Sequence, residues 1–246
     1  MKFLAINLVF VSLVTSQLAD SLFQLGNTYY ENEQYETAAS TYEQLENDYS
    51  HEDLYLNLGN SYYRMGELGN AVWAYEKAYS IAPRDQDIIY NLNFVRSQVR
   101  DRIIPPDNFF IFSLYTAFLD KTTILDISVL GGLLFIIISI IYLMNSYLLI
   151  PEKLNSIINS TLILTLVFLI WVSVDKYWKF TDINEAIVIS TSVDVRSAPI
   201  QRGENVVFRV HEGTKAQITA VDSGWYEIIL LDGKKGWLST QDMRKL

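Results

Sequence analysis

Two long runs of apolar residues without a charged side chain lie in the middle of the chain, at residues 127–151 and 154–174. A helix needs about 20 mostly apolar residues to cross the hydrocarbon core of a bilayer, and each run is long enough. The pattern predicts transmembrane helices over residues 124–150 and 155–176. Only Glu152 and Lys153 separate the two runs, so we expect a hairpin that returns the chain to its starting side.

The N-terminus has the pattern of a secretory signal. Lys2 precedes an apolar stretch at residues 3–14, and small residues follow it. We predict a signal peptide over residues 1–16 with cleavage before Gln17, and cleavage after Ala19 is the alternative. With the hairpin, this places both flanking segments outside the cytoplasm.

A repeat with a helical period occupies the segment after the signal. The motif LGNTYY at residues 25–30 recurs as LGNSYY at residues 58–63, and the same offset of 33 relates Ala38 to Ala71 and Tyr42 to Tyr75. This pattern resembles the tetratricopeptide repeat family, in which each repeat is a pair of helices. We expect two repeats and a capping helix at about residues 87–102, forming a domain over residues 17–104.

The resemblance implies a groove that binds peptides or protein segments. Asn27 and Asn60 match asparagines that hold a ligand backbone in some family members, but Phe23, Glu31 and Leu56 replace basic residues of the carboxylate clamp. Binding of an acidic chaperone tail is therefore not expected. The alternative is that the aromatic residues only pack the repeats together. The implied groove residues are Phe23, Asn27, Tyr30, Leu56, Asn60, Tyr63, Arg64, Tyr90 and Phe94.

The segment between the repeats and the membrane runs from residue 105 to residue 123. Residues 109–119 are apolar and aromatic but too few to span a bilayer. We expect this segment to lie at the membrane interface, where aromatic side chains are enriched.

From residue 183 onward, short runs of β-branched and aromatic residues alternate with turn residues. Asp232-Gly233 indicates a tight hairpin. The order of motifs resembles the bacterial SH3 family, which implies an SH3-like β-barrel over residues 183–246 with Trp225, Tyr226 and Trp237 as partner-binding residues. The alternative is that these aromatic side chains form barrel core. The predicted strands cover residues 186–189, 193–195, 206–210, 216–221, 225–230 and 236–239.

Composition narrows the function classes. The net charge is −9, and between residues 17 and 108 there are 15 acidic and 6 basic residues, so no basic stripe for nucleic acid exists. The chain has no cysteine and two histidines in separate segments, which excludes disulfides, thiolate chemistry and a histidine-pair metal site. No nucleophile with an adjacent base is recognisable. We expect a protein that is not an enzyme and has no cofactor and no metal.

The whole chain is thus expected to be a multidomain protein with α, membrane and β parts: tetratricopeptide α-hairpin repeats, a two-helix transmembrane hairpin and a C-terminal SH3-like β-barrel. This order resembles the BatE-like members of the aerotolerance (Bat) operon family. The resemblance implies a scaffold in the bacterial inner membrane, with periplasmic soluble domains and membrane A-domain proteins of the same operon as partners. The alternative is a cell-wall sensor whose SH3-like domain binds peptidoglycan.

Overall fold

The computed structural model describes residues 2–46, 50–103, 109–145, 151–181, 184–201 and 203–246; for residues 2–16, 145, 179–181 and 203 only the backbone is described. The chain divides into two compact units. The first combines residues 1–107 with residues 184–246, and the second comprises residues 108–183. Each unit is described by itself below.

In the first unit, capping residues in the local sequence mark the beginning of two helices and the end of one. The Asp85 carboxylate accepts hydrogen bonds from the backbone N–H groups of Asp87 and Ile88, and His51 accepts one from Asp53. Gly66 ends the third helix in the left-handed conformation, at φ 81°. The helices are α1 (Lys2–Glu31), α2 (Tyr35–Glu43), α3 (Glu52–Met65), α4 (Leu68–Ile81) and α5 (Gln86–Gln98).

Paired glycines and tyrosines hold the helices of each repeat together. A Cβ at Gly26 would lie 2.5 Å from Cε1 of Tyr42, and a Cβ at Gly59 would lie 2.7 Å from Cε1 of Tyr75. Only glycine permits this approach, because any side chain would occupy the space of the ring. The 33-residue offset in the sequence therefore reports a repeated packing contact.

The described residues of the C-terminal segment form seven strands: β1 (Glu185–Val188), β2 (Ser192–Arg196), β3 (Val206–His211), β4 (Lys215–Asp222), β5 (Trp225–Ile229), β6 (Lys235–Ser239) and β7 (Met243–Lys245). They make one antiparallel sheet in the order β3-β2-β6-β5-β4-β1-β7. Six strands lie where the sequence predicts strands, and β7 is an addition.

The expectation of a closed β-barrel is wrong, because the sheet is open. Strands β3 and β7 are its two ends, and no pairing joins them among the described residues. At the β7 end of the sheet, a side chain from a helix contacts the strand backbone where a further strand would pair. The indole N–H of Trp73 in α4 donates a hydrogen bond to the Lys245 carbonyl at 2.6 Å.

Strand β1 belongs to two hydrophobic cores at once. Successive strand residues point to opposite faces of a sheet. In β1 three consecutive side chains are fully buried, and they therefore point alternately to the two faces. Ile187 packs into the helical core with the buried residues of α2 to α5. Ala186 and Val188 pack into the sheet core with residues such as Val195 and Leu238. The repeats and the sheet are therefore parts of one packed body.

Charged side chains add a second set of contacts between the helical segment and the sheet. The Arg244 guanidinium lies 3.5 Å from the centre of the Trp73 ring and donates to Glu46 at 2.6 Å and to the Tyr62 hydroxyl at 2.8 Å. Glu76, with a side chain only 6% exposed, pairs with Arg96 at 2.5 Å and with Lys215 at 3.6 Å. The buried carboxylate is thus matched by two cations, as burial of a charge requires.

A carboxylate in the loop after α5 makes a further contact between the helical segment and the sheet. Helix α5 ends at Gln98, before the predicted end near residue 102, and the chain turns toward the sheet. Asp101 then accepts hydrogen bonds from the His211 backbone N–H at 2.7 Å and from the Thr214 hydroxyl at 2.8 Å. Burial alone would raise the pKa of Asp101. Its hydrogen bonds with the His211 ring nitrogen Nδ1 at 2.8 Å, with the Thr214 hydroxyl and with the His211 backbone N–H outweigh burial and hold the pKa below its ordinary value.

The described residues of the second unit form three helices, α6 (Phe110–Lys121), α7 (Ile124–Asn145) and α8 (Glu152–Thr181). Leu119, Ile127 and Val172 are buried together, one from each helix, and Tyr115 packs against them. Asp126 lies in the first turn of α7 and accepts hydrogen bonds from the backbone N–H and the hydroxyl of Thr123, the residue before the helix. The start of the segment predicted over residues 105–123 lies outside the described residues, at residues 105–108.

Candidate functional site

An open cleft of about 130 Å³ lies between the first helices of the repeats and the capping helix α5. We call it the aromatic cleft, because five of its lining residues have aromatic side chains. Its lining residues are Tyr30, Asn60, Tyr63, Arg64, Tyr75, Tyr90, Asn91 and Phe94.

The floor of the aromatic cleft is fixed by a tyrosine–asparagine hydrogen bond. The Tyr75 hydroxyl donates to Oδ1 of Asn60 at 2.7 Å, and burial raises the pKa of Tyr75, so its proton stays in place. With Oδ1 engaged, the amide Nδ2 of Asn60 remains a donor for an incoming group. The first repeat copies this arrangement, because the Tyr42 hydroxyl donates to Asn27 at 2.7 Å.

The rim of the aromatic cleft exposes large aromatic rings to solvent. Tyr90 is 69% exposed and Phe94 is 44% exposed. Their rings stack with centroids 6.4 Å apart, and Phe94 also meets Tyr63 edge-on at 5.6 Å. Exposed aromatic side chains of this kind contribute binding area at a low entropic cost.

The rim of the aromatic cleft also has a cationic side chain, Arg64. The Arg64 guanidinium lies 5.0 Å from the centre of the Tyr35 ring and donates a hydrogen bond to the Tyr35 hydroxyl. Tyr35 in turn meets the Tyr30 ring edge-on at 5.3 Å. These contacts orient Arg64 beside the cleft, where its remaining donors can meet a carbonyl or carboxylate.

The structure brings six of the nine predicted groove residues together around this cleft: Tyr30, Asn60, Tyr63, Arg64, Tyr90 and Phe94. The other three lie elsewhere. Phe23 packs on the Tyr42 ring with centroids 5.9 Å apart, Leu56 packs on the helical core, and Asn27 also accepts a hydrogen bond from Asn57. Sequence reasoning missed Tyr75 and Asn91. Tyr75 is visible in the repeat offset, but on the second helix of the repeat.

The predicted SH3-like residues are divided between the two faces of the sheet. Tyr226 points with Ile228 into the sheet core. By strand alternation, Trp225 points to the other face, where Trp237 also lies opposite Glu227. Trp225 and Trp237 are therefore together and Tyr226 is apart from them.

In the second unit, α7 and α8 contain segments long and apolar enough to cross a membrane, at Ile124–Met144 and Glu152–Trp178. Only 6% of the most apolar window of each is buried. The apolar core helix of a soluble protein would be mostly covered, and these helices are not.

These features define a helical-repeat interaction module joined to a C-terminal sheet, with two helices among the described residues that are long and apolar enough to cross a membrane. Comparison with known families agrees for the repeats. Residues 20–51 and residues 52–85 each match a tetratricopeptide repeat family. The chain therefore contains a tetratricopeptide repeat module, a kind of module typical of protein–protein interaction. The comparison with curated proteins gives no match.

Proposed function

We propose that this chain is a non-catalytic adaptor of the bacterial inner membrane that binds a protein partner through the aromatic cleft. The observation that carries the proposal is the open cleft with exposed Tyr90 and Phe94 at its rim, in a module of a class that binds protein segments. In this function α7 and α8 cross the membrane as a hairpin, and the first unit lies on the periplasmic side.

The resemblance of the whole chain to the Bat operon family supports a more specific partner. In this proposal, membrane A-domain proteins encoded in the same operon occupy the cleft, and the complex contributes to tolerance of envelope or oxidative stress. The acidic charge of the helical segment favours a partner with a basic surface.

Site-specific photo-crosslinking tests the partner. A photoreactive phenylalanine analogue at Tyr90 is expected to give a discrete adduct with an A-domain protein in growing cells. The matched control is the same analogue at Leu231, which is 58% exposed in the turn between β5 and β6 and should give no such adduct. Recovery of the protein without an adduct at Tyr90 would contradict the proposal.

Cysteine labelling tests the sidedness, because the chain has no cysteine of its own. Single cysteines at Glu36 and Ser223 should both react with an impermeant thiol reagent in intact spheroplasts. A cysteine at Lys153, between the two apolar helices, should react only after the membrane is opened. Protection of Glu36 or Ser223 would overturn the proposed topology.

The second candidate function is binding of peptidoglycan by an SH3-like surface of the sheet. It is favoured by Trp225 and Trp237 sharing one face with the charged pair Glu227 and Lys235, 2.9 Å apart. The test is retention of the detergent-solubilised full chain on purified sacculi. Retention that a Trp225→Ala, Trp237→Ala double variant abolishes would support it, and no retention of the wild type would exclude it.

A further inference from the structure

Helix α6 has an outer surface made almost entirely of apolar side chains. It has 12 residues, and its sequence reaches Asp120 before the first charged side chain occurs. Nothing in the second unit covers these side chains among the described residues. The exposed ones, each between 37% and 66% accessible, are Phe110, Ile111, Phe112, Leu114 and Phe118, with Phe109 preceding the helix at 61%.

The inner surface of α6, by contrast, makes polar contacts. The Tyr115 hydroxyl donates a hydrogen bond to the Asp175 carboxylate at 2.6 Å, and the Tyr115 ring stacks on Trp171 with centroids 5.1 Å apart. The ammonium group of Lys176 donates to the backbone carbonyl of Leu119 at 2.7 Å. Helix α6 is thereby attached to the last turns of α8 by two hydrogen bonds that involve charged groups.

This arrangement inverts the polarity expected of a surface helix in water. A water-facing helix turns its apolar stripe inward and its polar side chains outward. In membrane proteins, ionisable side chains face the interior of the bundle and pair there, while apolar side chains face lipid. Helix α6 has the second pattern.

Two hydroxyl groups, one on α6 and one on the residue that follows it, fit the same environment. Thr116 and Thr122 each donate to the carbonyl four residues earlier, at 3.0 Å and 2.9 Å. Hydroxyls on α7 and α8 do likewise, for example Ser139 to Phe135 and Thr165 to Thr161, both at 2.9 Å. Such bonds satisfy a hydroxyl donor where no water is present.

We propose that α6 is a third membrane-embedded helix whose outer face is covered by lipid acyl chains. The argument for lipid rather than a protein partner is continuity. The exposed apolar face of α6 has the same composition as the exposed surfaces of α7 and α8, to which α6 is packed through Leu119, Ile127 and Val172. The proposal rests on the proposed membrane insertion of α7 and α8.

Length decides how α6 enters the lipid. Twelve helical residues extend about 18 Å, well short of the ~30 Å hydrocarbon thickness. The helix therefore does not span the bilayer and lies in one leaflet. Asp120, Lys121 and Lys176 mark its polar boundary, and Tyr115 is the positioning residue that fixes the helix against α8.

Spin labels on the full chain in phospholipid nanodiscs test this inference. Single cysteines at Phe112 and Leu114 on α6, at Leu133 on α7 and at Tyr90 in the aromatic cleft would carry the label. The measurement is the collision rate with oxygen, which concentrates in lipid, and with a water-soluble nickel chelate. We expect labels at Phe112 and Leu114 to match Leu133, with high oxygen and low nickel collision rates, and Tyr90 to show the reverse.

Each other outcome has a defined meaning. Labels at Phe112 and Leu114 that match Tyr90 would overturn the lipid contact of α6, while a lipid-like Leu133 would leave the proposed hairpin intact. Low collision rates with both reagents at α6 would show that a protein partner or a second copy covers it, and would also overturn the inference. A water-like Leu133 would refute the proposed membrane insertion itself.

A substitution of Tyr115 tests the positioning role separately. Tyr115→Phe keeps the ring and removes only the hydroxyl that donates to Asp175. With the label at Leu114, we expect the ratio of mobile to immobile spectral components to rise about fivefold, the effect of losing one hydrogen bond. The matched control is Tyr142→Phe, which alters an exposed tyrosine of α7. Unchanged spectra in Tyr115→Phe would contradict the role.

Discussion

The two units of this chain follow opposite rules for the placement of apolar side chains. In the first unit, Leu58 and Ile187 are fully buried. In the second, Leu125, Phe135 and Leu164 are between 65% and 71% exposed. Apolar side chains avoid water, so the exposed apolar surface of the second unit fits the proposed membrane insertion, in which lipid rather than water surrounds it.

Glycines show the same difference at the level of single atoms. In the first unit, Gly59 leaves no room for a side chain beside the Tyr75 ring. In the second, an added Cβ at Gly131 or Gly132 would meet nothing within 4 Å. The first unit depends on close internal packing, whereas the second leaves its small residues open to its surroundings.

The largest expected effect concerns the strand that joins the helices to the sheet. Ile187→Ala should lower the free energy of unfolding of the first unit by about 2–5 kcal/mol, because it opens a cavity in the helical core. Urea unfolding of the full chain in detergent, followed by circular dichroism, measures this loss. The control Ile200→Ala changes a side chain that is 48% exposed and should stay within about 0.5 kcal/mol of wild type. Equal effects of the two would refute the shared core.

Glycine-to-alanine substitutions, one in each unit, test the difference in packing between the two units. Gly59→Ala should cost about 1–3 kcal/mol, because its Cβ forces the Tyr75 ring from its place. Gly131→Ala should have almost no effect on the second unit, where the space is open. Thermal unfolding of each variant gives the comparison. A large loss of stability in Gly131→Ala would show that another helix packs on α7.

The third effect is a dependence on pH within the first unit. Asp101 has a lowered pKa in the folded protein, so its stabilisation is present above its unfolded pKa and is lost as pH falls through the folded value. Thr214→Val removes one of its hydrogen bonds and should cost about 1.5 kcal/mol near neutral pH.

The same variant should approach wild type as the pH falls through the lowered pKa of Asp101 in the folded protein, because only there does the Asp101 carboxylate become protonated. Urea midpoints at a series of pH values measure the difference. Thr214→Ser keeps the hydroxyl and serves as the control. A cost of Thr214→Val that does not change with pH would show that the lost bond to the Asp101 carboxylate is not its cause.

The smallest effect concerns the end of the sheet. Trp73→Phe removes the indole N–H that donates to the Lys245 carbonyl and should lower stability by about 1 kcal/mol. The measurement is amide hydrogen exchange in individual strands. The exchange rate in β7 should rise more than the exchange rate in β5. Uniform acceleration across the sheet would mean that Trp73 acts through packing alone.

The helical repeat and its cleft could be predicted from sequence because their packing contacts recur at a fixed offset. The sequence shows the recurrence of Gly26 as Gly59 and of Tyr42 as Tyr75, and the structure shows that each glycine packs against the tyrosine of its own repeat. Asn91 could not be found in this way, because its place in the cleft follows from the orientation of α5. The exposed rim residues Tyr90 and Phe94 were predicted only through family resemblance.

The attachment of the sheet to the repeats was not predicted, since long-range packing leaves little local signal. One signal did exist. Residues 71–75 of α4 are all apolar, and the helix is buried on more than one side. A helix that is apolar around its circumference has a second partner. The open edge of the sheet was not predicted for the same reason. The edge strand β7 is only three residues long, and it lies where α4 meets the sheet.

Hydrogen exchange of the full chain in nanodiscs tests most directly the central claim that the repeats and the sheet are one packed body. Amides of α3 and α4 and amides of β4 and β5 should share the same free energy of opening, and Ile187→Ala should lower it equally in both groups. A sheet that opens at lower free energy than the helices, and is insensitive to Ile187→Ala, would contradict the claim.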